Sequence, residues 1–209
     1  MSDTKPRWAR RKEARPQELL AAALELFVDR GYAATRLEDV ARRAGVSKGT
    51  LYLYFDNKEE LFKAVVRENI VVVIGRAESD VAAADSTASK DLLLTMLRRW
   101  WSDVSSTRAS GLAKLMVAEA GNFPEIARFY NEEVIARGTA LIASIVQRGV
   151  DRGEFVPVDA ELMTRVLTAP VTMLMLWAHS FDPCCGPVDA EAFMDAYLGL
   201  VERGMARPG

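Results

Sequence analysis

Apolar residues recur along this chain at the three- and four-residue spacing of an α-helix, and this spacing limits the fold more than any other feature. The first example is Leu20, Ala23, Leu24 and Phe27. Comparable stripes continue to the C-terminal end, whereas no segment shows the strict alternation of a half-buried strand. Because 50% of the 209 residues are apolar, the chain can bury a core. The sequence therefore predicts an all-α protein of about nine helices.

Breaker and cap residues mark the first two helices. Pro16 can occupy the first turn of helix one, because its missing N–H is not needed there, and Gly31 should end that helix. Thr35 followed by Glu38 has the spacing of a capping box, which predicts the start of a second helix. Gly45 should end the second helix after about three turns.

Two more short helices are predicted directly afterwards. Ser47 can cap a third helix, and Asn57 with Glu60 can cap a fourth that starts at Lys58. The apolar run from Val71 to Ile74 would equally suit a buried strand, but we predict that the fourth helix continues through it.

The last two thirds of the chain contain fewer and longer helices. Breaks are predicted at Val81–Ser89 and at Gly121–Pro124. Asp159 can cap a helix that is apolar almost all round and that Pro170 should kink, and Asp189 can cap the last helix. A helix without a polar face is either deeply buried or covered by a partner.

Charge is distributed unevenly along the chain. The formal net charge is −2, yet residues 1–63 carry 13 Lys and Arg against 10 Asp and Glu, whereas residues 64–209 carry 14 against 19. Residues 1–12 form a basic arm, with Asp3 as its one acidic residue. Such an arm is typical both of nucleic-acid contact and of a solvated tail, and charge alone does not separate the two.

The sequence has no secretion or membrane signal. The basic N-terminal stretch lacks the apolar run of a signal peptide, and the longest apolar stretches are too short to span a bilayer. Cys184 and Cys185 are adjacent, which suits neither a long-loop disulfide nor a zinc site. We therefore expect a soluble cytoplasmic protein with no resident metal or cofactor.

The segment AGVSKGTLYLYF, residues 44–55, is the strongest functional signal. Two short helices joined through Gly45 satisfy the helix-turn-helix pattern. At 100° per residue, Leu51 and Phe55 of the second helix would face the core, whereas Gly49 and Leu53 would face outward. Gly49 should cost the helix about 1 kcal/mol relative to alanine, and exposed tyrosine rings do not help solubility, so the outer face is expected to bind something.

The DNA major groove, about 12 Å wide, suits such a helix. Hydroxyls on its flanks can bind phosphates, the glycine permits close approach to bases, and the leucine can contact a thymine methyl. Basic residues in its first turn and at the starts of the neighbouring helices would add contacts. The predicted DNA-binding residues are Arg36, Ser47, Lys48, Gly49, Thr50, Tyr52, Leu53, Tyr54 and Lys58.

Residues 13–62, and above all LELFVDRGYAATRLEDVARRAGVSKGTLYLYFDNKEELF, resemble the DNA-binding domain of the tetracycline-repressor (TetR) family of bacterial transcription regulators. The resemblance implies a cytoplasmic, nucleoid-associated homodimer that binds a palindromic operator. It implies a DNA-binding domain at residues 13–73, after the arm at 1–12, and an effector-binding domain at 74–209 that dimerises through its last two long helices. We expect a repressor that a small, largely apolar ligand releases from DNA, although activation stays possible.

Bulky residues in the C-terminal two thirds suggest a ligand pocket, and plain core packing would give the same set. The candidate lining residues are Met96, Trp100, Trp101, Met116, Phe123, Phe129, Tyr130, Met173 and Trp177. Polar groups that could orient a ligand there are Arg98, Arg99, Glu119 and Asn122.

Three rival functions fit the sequence less well. An enzyme is disfavoured because His179, Ser180 and Asp182 are close neighbours in sequence, which does not give the line of a catalytic triad. A thiol or metal sensor could use Cys184 and Cys185, with His179 and Asp182 nearby. A protein that coats DNA without sequence preference is disfavoured by the acidity of residues 64–209.

Overall fold

The computed structural model describes residues 7–207, with side chains from Pro16 onward. Of the predicted basic arm, residues 1–6 lie outside the described residues, as do the side chains of residues 7–12. The backbone of residues 7–12 forms the first turns of helix α1.

Helices account for nearly all of the described chain. They are α1 (Arg7–Ala34), α2 (Leu37–Arg43), α3 (Lys48–Tyr52), α4 (Lys58–Val66), α5 (Val72–Ala83), α6 (Ser89–Trp100), α7 (Gly111–Glu119), α8 (Pro124–Tyr130), α9 (Arg137–Asp151), α10 (Ala160–Ser180), α11 (Asp182–Cys185) and α12 (Ala190–Met205). Turns of π-helix at Arg67–Val71 and Asn131–Ala136 join α4 to α5 and α8 to α9 into continuous helices. Residues 7–207 contain one isolated β-bridge, Phe155 with Ala206, and no strand. The all-α prediction is confirmed.

The predicted start of helix one at Pro16 is wrong. Helix α1 begins at Arg7 and contains Pro16 in its interior. The nine residues before the proline, RWARRKEAR, are mostly good helix formers, although a proline inside a helix costs about 3 kcal/mol. Because the residues of this stretch other than Trp8, Ala9 and Ala14 are charged, it carries no apolar stripe that could have revealed the longer helix.

Gly31 interrupts α1, as the sequence predicts, with a φ of 83° that favours glycine. Near the break, the Thr35 hydroxyl bonds to two backbone carbonyls of α1, Gly31 O at 2.7 Å and Leu26 O at 3.1 Å. Thr35 is therefore buried and does not cap α2, whose N-cap is Arg36 with no side-chain bond. The predicted capping box of Thr35 with Glu38 is wrong.

The other predicted caps are confirmed. Ser47, Asn57, Asp159 and Asp189 each accept a hydrogen bond from the backbone N–H three residues ahead, at the starts of α3, α4, α10 and α12. Residues 71–74 are helical, so the strand alternative is wrong. Pro170 lies inside α10, whose helical assignment continues across it.

Two hydrophobic cores are present. The first joins α1 to α4 with parts of α5, α7 and α8, and the second joins α6, α9, α10 and α12. Trp100, at the end of α6, packs against both cores. The division of the chain at residue 73 stays a prediction, because the first core takes residues from both sides of it. None of the described helices combines the length and hydropathy that a membrane span needs.

We expect the Gly31→Ala substitution to destabilise the protein by about 1–2 kcal/mol, because an L residue is strained at this φ. The new Cβ would also lie 3.1 Å from Glu119 Oε1. The melting temperature should fall by roughly 2–8 °C. Gly204→Ala in α12 is the control, because no atom lies within 4 Å of that Cβ and the backbone is helical. A Gly31→Ala variant as stable as the wild type would contradict this account of the break.

Candidate nucleic-acid interface and internal cavity

Helices α2 and α3 form a helix-turn-helix whose turn is fixed by Gly45. Its φ of 67° is again in the left-handed region, and the chain then returns so that Val46 N–H donates to Ala41 O at 2.9 Å. Val40 and Ala41 of α2 and Leu51 of α3 are buried in the first core. One face of α3 is thereby anchored, and the opposite face is held toward solvent.

The outer face of α3 is unusually apolar for an exposed surface. Leu53 is 82% exposed and Tyr52 is 42% exposed, and Gly49 lies beside them in solvent. Single exposed apolar residues are common, but a leucine this exposed next to a tyrosine and a glycine has no role in the core. The wheel-based prediction of which residues face outward agrees with this burial pattern.

Gly49 is not required by the fold. Its backbone is helical, and a Cβ placed there would meet only Ser47 Oγ, at 3.8 Å. An alanine would fit and would favour the helix. Packing within the folded chain therefore gives no reason for a glycine at this position.

Basic side chains flank this face. Lys48 Nζ lies 2.5 Å from Glu38 Oε1 and 5.7 Å from the centroid of the Tyr52 ring. The hydrogen bond from Lys48 holds the pKa of the Glu38 carboxyl below its ordinary value. Because both groups are exposed, the pair contributes little stability, and Lys48 can exchange this partner for a phosphate at little cost. Arg36 is exposed at the start of α2.

Two of the predicted DNA-binding residues are engaged inside the protein. Lys58 Nζ donates to Tyr32 O at 2.8 Å and Ala33 O at 3.2 Å, and it lies 4.4 Å from the Tyr32 ring centroid. Burial lowers the pKa of its ammonium group. Tyr54 is half-buried against the first core. The structure therefore gives both residues a role in holding the fold together.

A cavity of about 540 Å³ lies between α5, α6, α7, α10 and the continuous helix α8–α9. Its lining is mostly apolar, and of the predicted pocket residues it includes Met96, Trp100, Met116 and Tyr130. Val117 and Ile135 also line it while remaining exposed to solvent, which places them at its mouth.

Five of the predicted pocket residues do not line this cavity: Trp101, Phe123, Phe129, Met173 and Trp177. The Phe123 ring packs edge-on against the Tyr32 ring, with the two centroids 4.8 Å apart. The Phe129 ring centroid lies 5.0 Å from Cζ of the Arg67 guanidinium. Trp101 packs in the second core, Met173 is exposed, and the Trp177 indole donates to a backbone carbonyl. Residue type shows how large each side chain is, but it does not show whether that side chain points into the cavity.

Three charged side chains line the cavity, and the sequence indicated only Arg99. Arg99 forms an ion pair with Asp80 at 2.5 Å. Arg76 has no ion pair among the described residues, and Asp103 accepts from the Ser102 hydroxyl. An arginine on the polar side of an amphipathic helix is normally expected to face solvent. The sequence therefore gave no reason to predict that Arg76 lines a cavity. Of the other polar candidates, Arg98 pairs with Asp195, and Glu119 and Asn122 do not line the cavity.

A second, more open groove of about 690 Å³ lies along α1, α2 and the π-turn after α4. Ion pairs between Arg43 and Glu25 and between Arg108 and Asp29 line its edge. Four of its five charged side chains are paired with one another and the groove is more open to solvent, so the smaller, more enclosed cavity is the better candidate for a ligand site.

The residues of the rival functions occupy ordinary surroundings. His179 Nε2 lies 2.7 Å from Oγ of the buried Ser110. The hydrogen-bond partner of the imidazole is therefore Ser110 and not its sequence neighbour Ser180. The Cys184 and Cys185 sulfurs are exposed and 2.9 Å apart. In the part of the chain that the structure describes, no three His, Cys, Asp or Glu side chains are grouped to hold a metal ion.

Comparison with known proteins gives two matching family models. The model described as "Bacterial regulatory proteins, tetR family" matches residues 19–65, and the model described as "Tetracyclin repressor-like, C-terminal domain" matches residues 83–184. The transcriptional repressor KstR2 of Rhodococcus jostii is 30% identical over 204 residues, which is 94% of each chain.

Solved structures share the fold. A TetR-family transcriptional regulator from Mesorhizobium loti aligns with a TM-score of 0.68 at 26% identity, over 97% of this chain and 100% of that one. The regulator FadR of Bacillus subtilis, solved in complex with stearoyl-CoA, aligns with a TM-score of 0.70 at 22% identity, over 90% of this chain and 98% of that one.

We expect Gly49→Ala to raise the free energy of unfolding by about 0.5–1 kcal/mol, because the fold tolerates a Cβ at this position. Gly45→Ala is the matched control in the same motif. It should lower the free energy of unfolding by about 1–2 kcal/mol, since only the left-handed backbone opposes the change. Thermal unfolding of both variants measures the difference, and a destabilised Gly49→Ala would mean that the fold itself requires this glycine.

Proposed function

The chain belongs to the tetR family of bacterial regulatory proteins, and on this basis we propose that it is a homodimeric repressor released from its operator by an apolar ligand with an anionic group. The family comprises DNA-binding transcription regulators. The observation that carries the proposal for this chain is the outer face of α3, where an exposed leucine and a glycine that the fold does not need lie side by side.

In the proposed complex, α3 enters the major groove. Leu53 contacts thymine methyl groups and Gly49 admits the backbone close to the base edges, so these two residues contribute sequence preference. Thr50, Tyr52, Lys48 and the neighbouring Ser47 and Arg36 bind phosphates on either side and set the register. Lys58 and Tyr54 act indirectly, by holding the helix-turn-helix in place.

Exposed apolar residues on the last two long helices support a dimer. On α10, Leu162, Val166 and Met173 are exposed at spacings that place them near one face, and Leu200 is exposed on α12. A patch of this kind costs solubility unless a partner covers it. A second copy related by two-fold symmetry would cover it with the same patch and present two α3 helices to a palindromic operator.

The cavity supports a ligand that is mostly apolar and carries negative charge. Its volume falls in the range of roughly 300–1,000 Å³ that small-molecule sites occupy. Arg76 and Arg99 line it beside a single acidic residue, Asp103, so an anionic group can gain a charge-assisted hydrogen bond there. The Bacillus subtilis FadR of similar fold was solved with stearoyl-CoA, a ligand with a long apolar chain and negative charge. Ligand binding would favour a conformation in which the two α3 helices no longer match their half-sites.

Binding to DNA tiles from the region upstream of the protein's own gene, measured by fluorescence anisotropy, tests the DNA-binding part. One tile should bind far more tightly than its neighbours, with two protomers per site. Gly49→Val should weaken that binding by at least about 10-fold, because the valine side chain would hold the helix away from the base edges. Losing the equivalent of one matched base pair costs about 1–3 kcal/mol. Ala82→Val, at an exposed position near the end of α5 and away from the proposed DNA and dimer surfaces, is the control, and Tyr52→Phe should weaken binding mildly. Wild-type affinity in Gly49→Val would exclude this docking geometry.

Competition with a fluorescent apolar anion, anilinonaphthalene sulfonate, tests the ligand part. Stearate should displace the probe better than stearyl alcohol, which has the same chain without the charge. Arg76→Ala should weaken stearate binding by roughly 10-fold, the effect of one hydrogen bond to a charged group, and leave the alcohol unchanged. Arg98→Ala is the control, since Arg98 lies outside the cavity and pairs with Asp195. Equal binding of acid and alcohol to the wild type would contradict an anionic ligand.

A further inference from the structure

One side chain of α7 contacts the turn that precedes the helix-turn-helix. Glu119, the last residue of α7, accepts a hydrogen bond from the backbone N–H of Ala33 at 3.2 Å, across 86 positions of sequence. A carboxylate at the C-terminal end of a helix is disfavoured by the helix dipole. The stability of α7 therefore gives no reason for an acidic residue at position 119, whereas the hydrogen bond to the Ala33 N–H does.

The turn that Glu119 holds determines where α2 begins. Gly31 departs from helical φ and ψ within α1, and the backbone of Tyr32 and Ala33 directly after it bonds to side chains of other helices. Lys58 of α4 donates to both carbonyls of this pair, and Glu119 accepts from the Ala33 N–H. The chain enters α2 at Leu37, only a few residues later.

The same helix α7 forms one wall of the cavity. Ala113, Met116 and Val117 line the cavity from α7, and Ala120, directly after Glu119, lines it as well. A ligand that displaces this wall must displace Glu119, because the two belong to one short helix. The Glu119 carboxylate is also close enough to Lys58 to oppose the lowering of the Lys58 pKa by burial. Moving Glu119 would therefore remove its bond to the Ala33 N–H and take its negative charge away from Lys58.

We propose that Glu119 transmits occupancy of the cavity to the helix-turn-helix. With the cavity empty, its bond to Ala33 holds the turn in the position that α2 and α3 need to bind an operator. Filling the cavity shifts α7, breaks that bond and lets the turn move. Glu119 is thus a positioning residue, and the inference rests on the proposed role of the cavity as the regulatory site.

Amide hydrogen exchange at Ala33 tests the link without DNA or ligand. Glu119→Ala should accelerate exchange of the Ala33 amide at least 10-fold. Glu119→Gln, which keeps an acceptor oxygen, should change it less, and Glu132→Ala, on the exposed side of helix α8–α9, should leave it unchanged. Ala113→Phe, which adds a ring to the cavity from α7, should accelerate Ala33 exchange in otherwise wild-type protein. If Ala113→Phe lowers the melting temperature substantially, the smaller substitution Ala113→Leu serves as the cavity-filling variant instead. Unchanged Ala33 exchange in a folded cavity-filled variant would overturn the proposal.

Operator affinity supplies the functional test. Without ligand, Glu119→Ala should bind the operator as weakly as Ala113→Phe does, and the double variant should be no weaker than either single variant. Additive losses would overturn the proposal, because they would mean two independent effects. Saturating stearate should weaken operator binding of the wild type and have little further effect on Glu119→Ala. If stearate leaves the wild type unaffected, the proposed ligand class is wrong, while Ala33 exchange and the double variant still decide the role of Glu119.

Discussion

The break in α1 at Gly31 is the constraint on which the arrangement of this protein depends. Several backbone groups around this break bond to side chains of other segments rather than to water alone. Here the partners are Thr35 at the start of α2, Lys58 of α4 and Glu119 of α7. Three helices are thus positioned relative to α1 by the hydrogen-bonding demands of one short turn.

The helix-turn-helix surface has features that do not stabilise the isolated protein. Gly49 lowers helix stability where an alanine would fit, and Leu53 is exposed without a packing partner. Natural sequences depart from local stability rules mainly at functional sites. Burial in the first core through Val40 and Leu51 offsets these costs, so the exposed face of α3 can be specialised for binding.

The cavity lies where the two cores meet. Trp100 packs against both cores and also lines the cavity, which draws its walls from helices of each. Packing is incomplete at such a junction because helices that belong to different cores cross there without filling the space between them. One wall, α7, ends at the turn that precedes α2, so the cavity and the helix-turn-helix share a structural element.

The sequence by itself determined what depends on neighbours a few residues apart. Helix periodicity, the caps at Ser47, Asn57, Asp159 and Asp189, and the turn at Gly45 act over less than two helical turns, and all were predictable. Tertiary structure decided the rest. Thr35 has the sequence signature of a cap, yet its hydroxyl serves the end of α1, and Lys58 does the same from α4.

The pocket shows the same division. Met96 and Trp100 line the cavity whereas Trp101 and Met173 do not, although all four are residue types that commonly line pockets. Residue type fixes how much apolar surface a side chain can bury. Which helix it meets depends on contacts between residues far apart in sequence, and those exist only once the chain has folded.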